Sequence, residues 1–91
     1  MESSSEYLLK YIGRRFKIHR RLRGFSRESA ARSLNISKRT LASYERGERE
    51  ISLDKTIEMA ELYRTTFKNL VDYYNVLEEL PVDRITAGAE R

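Results

Sequence analysis

The chain has 91 residues and no cysteine. Disulfides and thiolate metal sites are therefore excluded, and an intracellular setting is expected. A single histidine leaves no His/Cys metal set, and no Ser-His-acid arrangement is suggested. There is no Gly-rich phosphate loop. Ser52-Leu53-Asp54-Lys55 fits a short S-x-x-K pattern, but Ser52 is better explained as a helix cap. An enzyme is not expected, nor is a cofactor, a metal or a small-molecule ligand. Long apolar runs are missing too. MESSSEYLLK has no signal-peptide core, and no stretch could span a bilayer, so no membrane partner is expected.

Glycine and proline are scarce: Gly13, Gly24, Gly47, Gly88 and Pro81. Between them apolar residues recur at helical spacing, with no long β-type alternation and no internal repeat. The expected class is all-α. At this size a core is only marginally stabilising, and assembly with a second chain would support it.

Charge is what the chain has in quantity. The formal net charge is only +4, but it is unevenly spread. Residues 6–49 carry 13 Lys and Arg against 4 Asp and Glu; residues 50–91 carry 5 against 9. A basic face for a polyanion and a more acidic end for another contact fit this polarity, as do two solvated faces.

Five helices are expected. The first runs from about Ser5 to Arg23, with Leu8, Leu9, Ile12 and Phe16 on one face and Gly24 as its stop. In RRFKIHRRLR the same period favours a packed helix with a basic outer face, and His19 is read as exposed. Ser26 caps a second helix, Arg27 to Leu34, and Asn35 turns the chain. Ser37 caps a third, Lys38 to about Arg46, stopped by Gly47. Ser52 caps a fourth, Leu53 to Tyr63, with Leu53, Ile57, Met59 and Ala60 facing inward. A fifth covers about Phe67 to Leu80, and residues 81–91 form a flexible C-terminal tail.

Helices two and three, joined by Leu34-Asn35-Ile36-Ser37, have helix-turn-helix proportions. FSRESAARSLNISKRTLASYERGER resembles the core of the phage repressor and Cro-like, or Xre-type, family: Ser, Glu and Ala, then the turn, then Ser-x-x-Thr-hydrophobic, ending Glu-x-Gly. The resemblance covers about residues 12–71. It implies a lambda-repressor-like fold of five helices within residues 1–80 that binds double-stranded DNA in the cytoplasm, at the nucleoid. Three positions depart from the family pattern. Arg27 replaces the usual Gln. Ala30 replaces a larger aliphatic residue, whose space Phe25 or Phe16 would fill. Asn35 replaces the turn Gly.

The major groove of B-DNA, about 12 Å wide, admits one helix. Helix three would bury Leu41 and Tyr44, with Ile36, and turn Lys38, Arg39, Ala42 and Ser43 outward. Lys38, Arg39 and Ser43 match the family's base-reading positions; Lys and Arg suit guanine O6 and N7, and Ala42 could touch a thymine methyl. Arg27 stands where the family's Gln meets the DNA backbone, Arg46 and Arg49 match backbone-contacting positions, and Ser37 (also a cap) and Thr40 can donate hydroxyls to phosphate. Lys10, Arg14 and Arg15 either reach outer phosphates or form a solvated basic face. By the same resemblance Arg20 and Glu45 form an ion pair tying helix one to the end of helix three.

Leu70, Tyr73, Leu77 and Leu80 make a short a/d seam, with Val71 and Tyr74 beside it. It either packs on its own domain or forms a two-fold interface. Family members usually bind as homodimers to near-palindromic sites, which places Tyr63, Leu70, Tyr73, Tyr74, Leu77 and Leu80 at the expected dimer interface. The first functional reading is a sequence-specific transcriptional repressor. The second is an antitoxin-type protein that binds a protein partner through its C-terminal region and autoregulates its operon. An RNA binder is disfavoured, since no aromatic-on-sheet platform or Gly-loop is suggested. No room is expected after residue 80 for a ligand-sensing domain.

Overall fold

A computed structural model describes residues 4–71, and within them every regular element is helical. The helices are α1 (Ser4–Leu22), α2 (Arg27–Ser33), α3 (Lys38–Arg46), α4 (Leu53–Leu62) and α5 (Phe67–Val71). Sequence boundaries agree to within about one residue for α1 to α4; the expected extension of helix five to Leu80 and the tail lie outside the described residues.

The helix starts are set by hydroxyl caps. Ser26, Ser37 and Ser52 each accept a hydrogen bond from the backbone N–H three residues on, at 3.0, 2.9 and 3.0 Å. Each bond satisfies a donor that the first helical turn leaves open. Thr66 does the same for Asn69 ahead of α5, at 3.0 Å. The chain reverses through left-handed residues: Gly24 (φ 78°), Asn35 (φ 57°), Gly47 (φ 71°) and Arg64 (φ 58°). Arg64 is the one that composition does not signal, because a long side chain there is unusual.

The core gathers Phe16, Ala30, Ala31, Leu34, Leu41, Met59, Ala60, Tyr63 and Leu70. Tyr63 and Phe16 are its largest enclosed side chains and pack in the same cluster as the small Ala30. Phe25 lies at the margin with its ring 6.0 Å from that of Tyr63.

On α4 the buried face runs through Thr56, Met59, Ala60 and on to Tyr63. Leu53 and Ile57, expected inside, are 61% and 41% exposed. Ile57 sits one residue, about 100°, round the helix from Thr56 and so falls off the buried stripe. Thr56 tolerates burial because its hydroxyl donates to the carbonyl of Ser52 at 2.8 Å.

Cations on α1 and just after it hold α4 and α5. Arg23 donates to the carbonyls of Tyr63 and Arg64, at the end of α4. Arg15 donates to those of Leu70 and Asn69, within α5. The carbonyls of Tyr63 and Arg64 lie where α4 ends and leaves acceptors open, which cations favour. His19 is half-buried, its ring 3.2 Å from the Arg15 guanidinium, rather than exposed.

Candidate nucleic-acid interface

The α2–turn–α3 unit is braced from below. Ala30, Ala31 and Leu34 of α2 and its C-cap meet Leu41 of α3 in the core. From α4, the Lys55 ammonium donates to the carbonyl of Leu34 at 2.8 Å, fastening the end of α2 where the turn begins. Asn35 then takes the left-handed conformation, which Asn accepts more readily than most residues.

α1 fixes α3 at its far end, mainly through glycine. A Cβ on Gly13 would stand 2.6 Å from the carbonyl oxygens of both Tyr44 and Glu45. One on Gly47 would stand 2.5 Å from the Lys10 Cα, and Gly47 is left-handed as well. The backbones of α1 and α3 are therefore in direct contact. Gly13 costs helix stability in the middle of α1, yet only Gly permits this approach.

Beside this contact lies an ion cluster. Arg20 donates from Nε to Glu45 Oε2 at 2.6 Å and from a terminal nitrogen to Oε1 at 3.1 Å. Its remaining terminal nitrogen donates to the Phe25 carbonyl at 2.8 Å. Arg27 Nε adds a third bond to the carboxylate, to Oε1 at 3.2 Å. The side chains of Arg20 and Glu45 are 6% and 1% exposed; that of Arg27 is 32% exposed. The bond to Glu45 raises the Arg20 pKa further, against the opposing effect of burial. The structure thus brings Arg20 and Glu45 together and adds Arg27, which the sequence placed at a phosphate contact only.

With its inner side so held, α3 turns its N-terminal end outward. Lys38 and Arg39 are exposed, and Thr40, Ser43 and Tyr44 half-buried. Ala42, expected outward, is 9% exposed. Ser37 accepts from the Thr40 N–H and donates its own O–H to the Thr40 hydroxyl, both at 2.9 Å. The Thr40 O–H is thereby the remaining donor of the pair. Arg49 is exposed, and Arg46 is exposed but paired with Glu48 at 3.0 Å. Arg15, a candidate for outer phosphates, is engaged by α5 carbonyls instead. Arg14 stands over the Tyr11 ring at 5.7 Å.

The expected interface residues divide. Tyr63 and Leu70 have no exposed surface within one chain, so their apolar area is already used in the core and is not available to another chain. Tyr73, Tyr74, Leu77 and Leu80 lie outside the described residues. An apolar groove of about 380 Å³, lined by Leu8, Leu9, Ile12, Leu53, Phe67 and others, contains none of Lys38, Arg39 and Ser43. No helix among the described residues is long and apolar enough to cross a membrane.

Comparison with known proteins agrees with this geometry. Residues 16–70 match the family described as Helix-turn-helix. The chain is 32% identical over 69 residues to "Putative HTH-type transcriptional regulatory protein TK0539" of Thermococcus kodakarensis, a match that takes in 67% of this chain and 22% of that protein. It therefore spans about a fifth of that relative's length. The crystal structure of the restriction-modification controller protein C.AhdI from Aeromonas hydrophila superposes with a TM-score of 0.65 and 26% identity, covering 68% of this chain and 94% of that one. The chain belongs to the Xre-like helix-turn-helix family of DNA-binding transcription regulators.

Proposed function

We propose that this protein is a sequence-specific repressor whose α3 enters the major groove of a near-palindromic operator as part of a homodimer. One observation carries the reading. α3 is buried through Leu41 and Glu45 and held at its C-terminal end against α1, while Lys38 and Arg39 are exposed at its N-terminal end. A groove-reading helix needs that division between a held side and a free end.

In this reading Arg39 reads a guanine through O6 and N7, Lys38 a neighbouring base, and Ser43 a third position from the half-buried flank. Thr40, Ser37, Arg27, Arg46 and Arg49 hold the phosphate backbone on either side. Those contacts set register; the first three residues set preference. Two copies would place their α3 helices one DNA turn apart, ~34 Å. The family's general mode of action and the likeness to a controller protein support control of transcription by occupancy of DNA.

The test is selection of bound sequences from a random duplex library. The expected product is a site with two related half-sites about one turn apart. Absence of any enriched sequence overturns the reading, and a single unpaired half-site overturns its dimeric part. A Tyr74→Glu or Leu77→Glu variant should sediment as a monomer and lose the paired site. If it stays dimeric on the same operator, the seam takes no part in assembly.

A further inference from the structure

The ion cluster holds two guanidinium groups and one carboxylate, and its three bonds are unequally distributed. Arg20 is nearly enclosed, and its Nε and both terminal nitrogens donate: two to Glu45, one to the Phe25 carbonyl. Among the described residues Arg27 donates through Nε alone, to the same Glu45 Oε1 that already receives Arg20. About a third of its side chain reaches solvent. The carboxylate offsets one positive charge of the two. The cluster therefore keeps a net positive charge, and Arg27 is its more exposed guanidinium, with its terminal nitrogens on the edge away from the Nε bond.

We infer that Glu45 is a positioning residue for Arg27: it holds the guanidinium by Nε, with the opposite edge presented to a phosphate of bound DNA. This rests on the DNA-binding reading above. A guanidinium suits the task because it is a flat fork with donors on two edges. One edge can serve an internal carboxylate while the other meets a phosphate oxygen. A lysine at the same place offers a single nitrogen with no second edge. Arg27 is also the first residue of α2, adjoining the Ser26 cap, so its backbone is fixed before its side chain is. Glu45 thus has two tasks. Through Arg20 it orients the end of α3. Through Arg27 it orders a cation on α2 for the same DNA face.

The experiment measures binding of a random-sequence duplex across a range of salt concentrations, for the wild-type chain and for Arg27→Gln, Arg27→Lys, Glu45→Gln and the Arg27→Gln/Glu45→Gln pair. The Arg27 variants leave the Arg20–Glu45 pair in place, and circular dichroism with thermal melting verifies their folding. Arg27→Gln should weaken binding by about tenfold, as expected for loss of a charge-assisted hydrogen bond. It should also flatten the salt slope by about 0.9, one phosphate's worth. Arg27→Lys should restore the charge but only part of the affinity. Glu45→Gln should cost more affinity beside Arg27 than beside Gln. Wild-type affinity and slope in Arg27→Gln, full rescue by Lys, or an equal cost of Glu45→Gln in both backgrounds would each overturn the inference while leaving the function intact. Failure of the wild-type chain to bind duplex in a salt-dependent way overturns both.

Discussion

Arg20 and Glu45 face each other across α1 and α3 with two parallel hydrogen bonds, 2.6 and 3.1 Å long, and both side chains are almost closed to water. Two charges this enclosed give little net stability, because each was stripped of water to get there. What the pair supplies is orientation. Removing one partner is costly in a different way, since the other is left buried and uncompensated.

Glu45→Ala should therefore destabilise the fold by about 3–5 kcal/mol, the usual cost of breaking a buried pair. Chemical denaturation reads this directly. The variant gains net positive charge, yet its affinity for duplex DNA should fall, because α3 loses its anchor. A rise in affinity would mean that charge matters more here than placement.

Tyr63 presents the opposite case. Its hydroxyl is buried and has no hydrogen-bond partner among the described residues. An unmade bond of this kind costs about 1–3 kcal/mol, so Tyr63→Phe should be neutral or stabilise by about 1 kcal/mol. Burial first, and the Glu45 charge second, raise the phenol pKa, with Arg20 opposing. The unfolded chain then releases this proton at lower pH than the folded one. The contribution is whole below about pH 10 and is lost as the pH climbs above it. Comparing melting of wild type and Tyr63→Phe between neutral and alkaline pH should show the variant losing less.

Two glycines separate close approach from backbone strain. By helix propensity alone Gly13→Ala should stabilise α1 by about 1 kcal/mol. The Cβ would instead meet two carbonyl oxygens at 2.6 Å. A net loss of about 2 kcal/mol is expected, in the range of overpacked cores. Gly24 has φ 78° but nothing within 4 Å of its would-be Cβ, so Gly24→Ala should cost only the left-handed strain, about 1 kcal/mol. Urea titration of both variants checks the order; a stabilised Gly13→Ala would refute the contact.

On the DNA side, Arg39→Ala should relax preference at one base position and cost about 1–3 kcal/mol there. Arg46→Ala should weaken all sequences alike. Glu48 engages Arg46 in an exposed pair and is itself held below the ordinary carboxylate range by that bond. Glu48→Gln frees the guanidinium and removes a negative charge from the same face, so affinity should rise for every duplex tested. Titration of matched and mismatched sites distinguishes the three variants.

Much of the fold was legible because serine caps, stop residues and helical spacing are local signals. Ser26, Ser37 and Ser52 each act within four residues of themselves. The helix-turn-helix was legible because the whole array of Ser, Glu, Ala, turn and Glu-x-Gly carries more information than any one position. What stayed hidden depends on a partner from elsewhere. Gly13 reads as a weak helix residue until α3 lies against it. Arg27 reads as a free cation until Glu45 is found beside it. Tyr63 and Leu70 read as contact residues because spacing separates apolar from polar faces but does not say which chain covers the apolar one. Ile57 and Leu53 were misplaced for a related reason: a run with several apolar residues has two plausible stripes, and tertiary packing selected the one through Thr56 and Met59.

The bare-backbone contact at Gly13 has a bearing on how such a regulator can change its target. With bare backbone in contact at Gly13 and the Arg20–Glu45 pair beside it, the height and tilt of α3 do not depend on which residues stand at 38, 39 and 43. Those three positions can be exchanged for new base preferences while the docking pose persists. A single methyl at residue 13 does the reverse, shifting all three reading positions at once and leaving their chemistry unchanged.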